Sequence, residues 1–319
     1  MGAGFTAEPA DGSVIAELSA LVPTNPFATA GFFEARRQTG CAPWVLALRD
    51  DARGLQCGCG AFLRTGRLNR TLEIPSLPSV RAGSPFWDGL REFCAQHGIT
   101  QLRLDTFASP HEVEIPALGA HCTRRSRCEF VLDRGGDPTA ALSANHRRNI
   151  RRAQKAGLAV RRATSAEAAI QHQSLVGQSM DRRRSRGEPV RRIGPSLGDS
   201  ALLQSGAGEL FQAVRDSGAL SSVLVLRAAK GGYYHSAGTS PEGMAVGASH
   251  FLLQSIGIQL RADGAELFNL GGADVESGLA RFKQGFGASP VPLPSADCYV
   301  GPAWRRWASR GISLWSRRG

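Results

Sequence analysis

The sequence predicts an α/β protein built on mixed, largely antiparallel sheets flanked by helices. Short apolar or alternating runs, such as Trp44 to Leu48 and Gln101 to Thr106, recur between stretches with helical start and stop signals. Several such runs follow one another with only a glycine turn between them, the mark of antiparallel hairpins. At 319 residues the chain is about twice the length of a typical domain, so two domains or one duplicated unit is expected.

In order, Asn25-Pro26 opens a helix through Arg37 that Gly40 closes, and Trp44 to Leu48 is a strand. Leu55 to Leu63 and Arg70 to Pro75 are strands joined by a turn around Gly66. Ser84-Pro85 starts a helix, with serine as N-cap and proline at the first helical position. Phe86, Leu90 and Phe93 lie on one face of it, and Gly98 ends it. Gln101 to Thr106 and Cys128 to Leu132 are strands in which apolar residues alternate with polar ones.

Asp137-Pro138 begins the most distinctive helix, stopped by Gly157 and followed by a strand from Leu158 to Arg162. Ala166 to about Arg184 is helical, and glycines and prolines make Arg186 to Asp199 a loop. Ser200 to Ser217 reads as a helix with Leu210, Phe211 and Val214 on its apolar side. Leu220 to Arg227 and Gly232 to Thr239 form a hairpin around Lys230-Gly231. A helix runs from Gly247-Ala-Ser249 to Arg261 or Ala262, Gly264 stops it, and Ala265 to Leu270 is a buried strand.

With 42% hydrophobic and 20% charged residues, the chain has enough apolar material for two cores and is not of disordered composition. Lys plus Arg is 38 against 27 for Asp plus Glu, a net charge of +11 carried almost wholly by arginine. Such a balance favours nucleic acid, phosphate-rich ligands or an anionic membrane without choosing among them, and a generally basic surface explains it equally well. Residues 1–22 carry Glu8, Asp11 and Glu17 and lack a signal-peptide pattern, and no apolar run approaches bilayer length, so a cytoplasmic location is expected. The seven cysteines are odd in number and form no CxxC pair, which points to reduced thiols rather than zinc or a disulfide framework.

Three segments stand out together. The first is the basic helix Arg147-Arg-Asn-Ile-Arg-Arg-Ala-Gln-Lys-Ala-Gly157. The second is Tyr233-Tyr-His-Ser-Ala-Gly-Thr-Ser240, followed by Gly247-Ala-Ser-His-Phe-Leu-Leu253. The third is Phe268-Asn-Leu-Gly-Gly272, then Gly278-Leu-Ala-Arg-Phe-Lys-Gln-Gly-Phe-Gly287. In this order and spacing they resemble the FemAB-type peptidyltransferases and their relatives in the acetyltransferase (GNAT) superfamily, well over 137–300 and only in element order before that. The resemblance implies tandem acetyltransferase-like domains at 1–136 and 137–300, with a basic tail at 301–319. It also implies that Lys283 is catalytic, contacting the acyl donor or stabilising its transition state. Taken alone, Lys283 reads as a solvent lysine on a turn.

Acyl transfer to an amine passes through a tetrahedral oxyanion, which needs positive charge or N–H donors in a sheltered cleft. Lys283, Phe282 and the surrounding glycines suit such a cleft. Gly271 and Gly272 end a buried strand, the usual ligand position in an α/β sheet, and a plain turn is the alternative. Tyr234 and Ser236 are counted with them as substrate-binding residues. His235 could take the amine proton, although histidines are more often core or surface residues. The helix opening at Gly247 to Ser249 offers an anion site, but Glu242 stands where a coenzyme A enzyme usually has a basic residue, which argues against a conventional acetyl-CoA enzyme. Arg147, Arg148 and Arg152, with Arg151 and Lys155, could neutralise phosphates or be a solvated face, and the cluster at 182–192 could act likewise.

The expected function is Fem-like transfer of an aminoacyl group from aminoacyl-tRNA to an amine of a peptide, peptidoglycan precursor or specialised metabolite. The expected partners are tRNA or another phosphate-rich donor and an amine-bearing acceptor, with no metal and no tightly bound cofactor. An N-acyltransferase using acyl-CoA or an acyl carrier is the alternative, and a non-catalytic basic binding protein is a second. Trp304, Trp307, Leu314 and Trp315 among five tail arginines either pack on the domain or touch a membrane surface.

Overall fold

The structure, a computed structural model, describes residues 3–52, 54–67, 69–107, 112–119, 121–132, 141–187, 197–216 and 218–302. They fall into two compact units: one takes in the described residues of 1–22, 27–127 and 292–319, the other those of 23–26 and 128–291.

The first unit contains β1 (Gly4–Pro9), α1 (Gly12–Leu21), α2 (Ala30–Gln38), β2 (Ala42–Arg49), β3 (Leu55–Thr65), β4 (Arg70–Ile74), α3 (Pro85–Gln96) and β5 (Gln101–Leu104). It also takes the first part of β6 (His121–Leu132) and most of β12 (Ser289–Tyr299). Its sheet order is β1-β2-β3-β4-β5-β12-β6, with β4 and β5 parallel across the α3 connection. The Ser84 hydroxyl accepts from the Phe86 N–H, and α3 then buries Phe86, Trp87, Leu90 and Phe93 against Leu46, Leu63, Leu72 and Leu102. Cys122 and Cys298 are disulfide-bonded across 176 residues, so two of the seven thiols are paired, contrary to the reading of them as reduced.

The second unit begins with the remainder of β6 and continues through α4 (Ala144–Lys155), β7 (Ala159–Ala163), α5 (Ala166–Ser185), α6 (Leu197–Gln204), β8 (Gly208–Arg215), β9 (Gly218–Ala228) and β10 (Gly231–Thr239). It ends with α7 (Pro241–Val246), α8 (Ala248–Ala262), β11 (Leu267–Gly272) and α9 (Gly278–Gln284). The strand order is β6-β11-β10-β9-β8-β7, and β10–β11 is the parallel pair. From β1 in the first unit and from β7 in the second, the order is strand, two helices, three antiparallel strands, helical crossover and parallel strand. On one face of the second sheet, α8 buries Leu252, Leu253, Ile256 and Leu260 against Phe211, Val223, Val225 and Phe268. On the other, α5 lies on β9 and β10.

Several expectations need correction. The basic helix starts at Ala144 with Ser143 as its N-cap, its hydroxyl accepting from the His146 N–H; Asp137 and Pro138 lie outside the described residues. The helix expected over 200–217 is α6 followed by β8. Gly206, at φ +74°, ends the helix, and the next apolar residues bury both faces of a central strand, where Leu210 and Phe211 imitate helical spacing. The helix expected from Asn25 is a 3-10 turn at Pro26–Ala28 followed by α2, capped by Thr29. β1, α1 and β12 have no counterpart in the sequence reading. The loop residues 188–196 and the tail 304–318 lie outside the described residues.

The seat of α5 is set by Gly238, where a Cβ would overlap the Leu175 backbone. Gly238→Ala should therefore force α5 from β10 and cost about 1–3 kcal/mol in urea unfolding. Gly177, on the same helix with nothing within 4 Å of an added Cβ, is the control: Gly177→Ala should add about 0.5–1 kcal/mol.

Candidate active site

Gly271 sits at φ +74° near the end of β11, a left-handed conformation that glycine adopts without strain. The backbone there turns its carbonyls toward Lys283, on the last turn of α9 and only 3% exposed. Lys283 Nζ donates to the Gly271 carbonyl at 2.9 Å and to the Gly272 carbonyl at 2.8 Å. The rings of Phe130 and Tyr234 lie 5.8 and 5.9 Å from it, within cation–π range. Burial pulls the ammonium pKa down to about 8, against the opposing pull of Glu129 and Cys128. At neutral pH the group stays mostly charged, with one N–H beyond the two already donated.

Asn269 braces this corner from below. Its amide donates to Glu129 Oε2 at 2.6 Å, and its Oδ1 accepts from the Gly271 N–H at 2.7 Å. Both side chains are buried. A Cβ at Gly271 would stand 3.1 Å from the Tyr234 carbonyl oxygen, 3.6 Å from the Tyr233 hydroxyl and 3.8 Å from Lys283 Nζ. Parallel pairing of β10 with β11 ends at Tyr233–Asn269, so the two strands part beside this corner.

A bulge then redistributes the β10 side chains. Tyr234 pairs with Val225 and Ser236 with Leu224, which leaves His235 as the extra residue. Directly paired residues share a sheet face, so Tyr234 points with Val225 toward α8, and Ser236 points with Leu224 toward α5. Burial raises the Tyr234 hydroxyl pKa, keeping the phenol neutral. On the α5 face His172 is fully buried, its Nδ1 2.9 Å from Ser222 Oγ and its Nε2 2.9 Å from Ser236 Oγ. Asp199 of α6 lies 3.6 Å from His235 Nε2 and 3.9 Å from His172 Nε2. Burial lowers the His172 pKa to about 4, only partly offset by Asp199. Among the described residues no group of His, Cys, Asp and Glu is arranged to hold a metal ion.

Residues 140–284 match the family described as an acetyltransferase (GNAT) domain. That stretch is a GNAT-type acetyltransferase domain. No curated protein matches the chain in sequence. The solved structure of FemX superposes with a TM-score of 0.68 at 14% identity, covering 91% of this chain and 96% of that one. A tandem GNAT protein from the clavulanic acid biosynthesis pathway gives 0.55 at 13% identity, over 94% and 99% of the two chains. L-PGS from Bacillus licheniformis gives 0.55 at 13%, over 92% of each. At such identities the likeness is one of fold. The likeness gives the chain a tandem GNAT-like architecture, and the match over 140–284 carries the acyltransferase assignment.

Within the GNAT domain, Lys283, Gly271, Gly272 and Tyr234 come together at one corner. Ser236 and His235 belong to the α5 face with His172 and Asp199, reached from Gly271 past Tyr233, whose ring centroid is 6.5 Å from that of His235. Phe282 points elsewhere, into an aromatic cluster with His146, His250 and Phe286, and its carbonyl bonds His146 Nε2 at 2.9 Å. The start of α8 is partly covered: Gly247 and Ala248 are buried, Gly247 faces the Asn149 carbonyl, and Ser249 is half-buried. Arg147, Arg148, Arg151, Arg152 and Lys155 are all exposed on α4, with no salt bridge among the described residues. Arg148 bonds Asn145, and Arg152 bonds the Ala245 carbonyl. The sequence reading missed Asn269, Glu129, His172 and Asp199. The Phe-Asn-Leu-Gly-Gly run, with a polar residue inside a buried strand, was the available signal for Asn269.

His172 and His250 are both neutral in the fold, with pKa values lowered by burial to about 4. Because the unfolded chain binds these protons near pH 6.5 and the folded one does not, stability is full above that pH and falls on acidification. The urea midpoint should drop between pH 7.5 and pH 5, and His172→Gln should reduce that drop.

Proposed function

We propose that the chain catalyses Fem-like aminoacyl transfer, taking an aminoacyl group from aminoacyl-tRNA and forming an amide with the amine of a peptide, peptidoglycan precursor or specialised metabolite. The observation that carries the donor class is the α4 face, where five basic side chains stand exposed without a carboxylate partner among the described residues. Such a row can neutralise several phosphates of a polyanionic donor. The fold likeness to FemX and L-PGS supports the reading. The two acetyltransferase-like units would derive from duplication, consistent with their common element order.

Lys283 is the catalytic cation in this reading. When an amine attacks the ester carbonyl, charge gathers on the carbonyl oxygen, and the remaining ammonium N–H can donate to it in a water-poor corner. The Gly271 and Gly272 carbonyls hold the group in place beforehand. Gly271, Gly272 and Tyr234 shape the donor pocket around it. Lys283→Ala should cost about a hundredfold in turnover with little change in substrate affinity. In the wild type, turnover should decline as pH rises through about 8, where the ammonium loses its proton. An alanine variant with full activity would remove Lys283 from the mechanism.

tRNA binding should weaken steeply with salt through counterion release, as read by filter binding over a salt series. Arg148→Glu with Arg152→Glu should raise the Michaelis constant for the donor, leave turnover nearly unchanged, and lose effect as salt screens the surface. Both side chains are exposed, so the thermal melt should stay cooperative. Binding no stronger than that of a neutral control protein would remove the tRNA reading and favour an acyl-CoA donor.

A further inference from the structure

We propose that His235 and Asp199 form an acid–base dyad, with His235 Nδ1 as the base for the acceptor amine and Asp199 as its positioning residue. The proposal rests on the acyl-transfer reading but not on the identity of the donor.

The bulge in β10 creates the arrangement. It inserts His235 as an unpaired residue and returns Ser236 to the α5 face, where it bonds His172. The ring of His235 remains 35% exposed, whereas the Asp199 carboxylate facing it is 12% exposed. One end of the dyad is thus open to a substrate and the other is held inside the fold. The carboxylate stands 3.6 Å from Nε2, the loose spacing of an acid–base pair before substrate tightens it. A carboxylate there favours the tautomer with its proton on Nε2 and leaves the Nδ1 lone pair free. His172 cannot take the same role, since it is fully buried and both its nitrogens are engaged by Ser222 and Ser236. Its effect is to fix Ser236, and with it the bulge.

His235 connects to the Lys283 corner through Tyr233. Its ring neighbours that of Tyr233, whose hydroxyl borders Gly271, the residue whose carbonyl Lys283 grips. The step balances without a co-reactant. The amine nitrogen bonds to the acyl carbon as the carbonyl π pair moves to oxygen beside Lys283, and the amine proton passes to His235 Nδ1. The carbonyl then re-forms, the bond to the donor oxygen or sulfur breaks, and the imidazolium returns its proton to that leaving atom. Asp199 stabilises the imidazolium between the two transfers.

Two measurements test the dyad. The first is kinetic, using aminoacyl-tRNA or acetyl-CoA, whichever supports amide formation with alanylalanine. Asp199→Asn and His235→Gln should each lower turnover about a hundredfold with little change in the Michaelis constants, and Asp199→Glu should recover part of the loss. The double variant should be no worse than the poorer single one, because the two residues act as a unit. If the losses instead multiply, Asp199 acts elsewhere and the proposal falls. The second measurement needs no turnover: nitrogen-15 spectra of histidine-labelled protein should show His235 protonated on Nε2, and a mixed tautomer in Asp199→Asn. A proton on Nδ1 in the wild type would overturn the dyad. If neither donor supports transfer, the acyl-transfer reading fails while the spectra still decide the pairing.

Discussion

An ammonium group removed from water must be met by oxygen, and here the backbone supplies it. Lys283 reaches the carbonyls of Gly271 and Gly272 only because β11 turns at Gly271 into a conformation that a side chain would strain. Asn269 holds that turn by accepting from the Gly271 N–H, and it is held in turn by Glu129 on β6. The result is a fixed positive charge whose pKa burial lowers to about 8.

The same corner depends on the sheet opening beside it. The parallel pair β10–β11 holds from Gly231 to Tyr233 and then ends, and two residues later the β10 bulge begins. The hydrogen-bond ladder that would have closed over Gly271 is therefore interrupted, and the β10 side chains are divided between the two faces. Tyr234 faces the apolar core under α8, whereas Tyr233, His235 and Ser236 belong to the polar side under α5. Gly238 completes that side by letting α5 approach closely enough for His172 to reach both Ser222 and Ser236. The Gly271 turn, the β10 bulge and Gly238 thus build what the regular elements alone would not.

Charge is organised separately from chemistry. The basic residues of α4 lie on its outer side, while Ile150 and Ala153 pack inward and His146 bonds the Phe282 carbonyl of α9. This helix therefore carries a basic face and also anchors the element that bears Lys283. The second cluster, at the end of α5, is more engaged: Arg182 bonds the Thr239 carbonyl and Arg184 pairs with Asp181. Of the two, α4 is the one whose charge remains available to a ligand.

The sequence by itself determined most helices, the hairpins and the buried strand ending in Gly271-Gly272. Those features follow from local signals: caps, turn glycines and apolar periodicity. It misjudged β8, because an apolar run buried on both faces has no period of its own, and Leu210, Phe211 and Val214 happen to match a helix. It passed over β1 and β12, whose pairing partners β2 and β5 are remote in sequence. Only the tertiary structure decided that Lys283 is buried rather than solvated, that Phe282 packs among histidines, and that His172 and Asp199 lie beside His235. Each of these is a contact between residues tens to more than a hundred positions apart, and no local pattern encodes which face of a strand a bulge will expose.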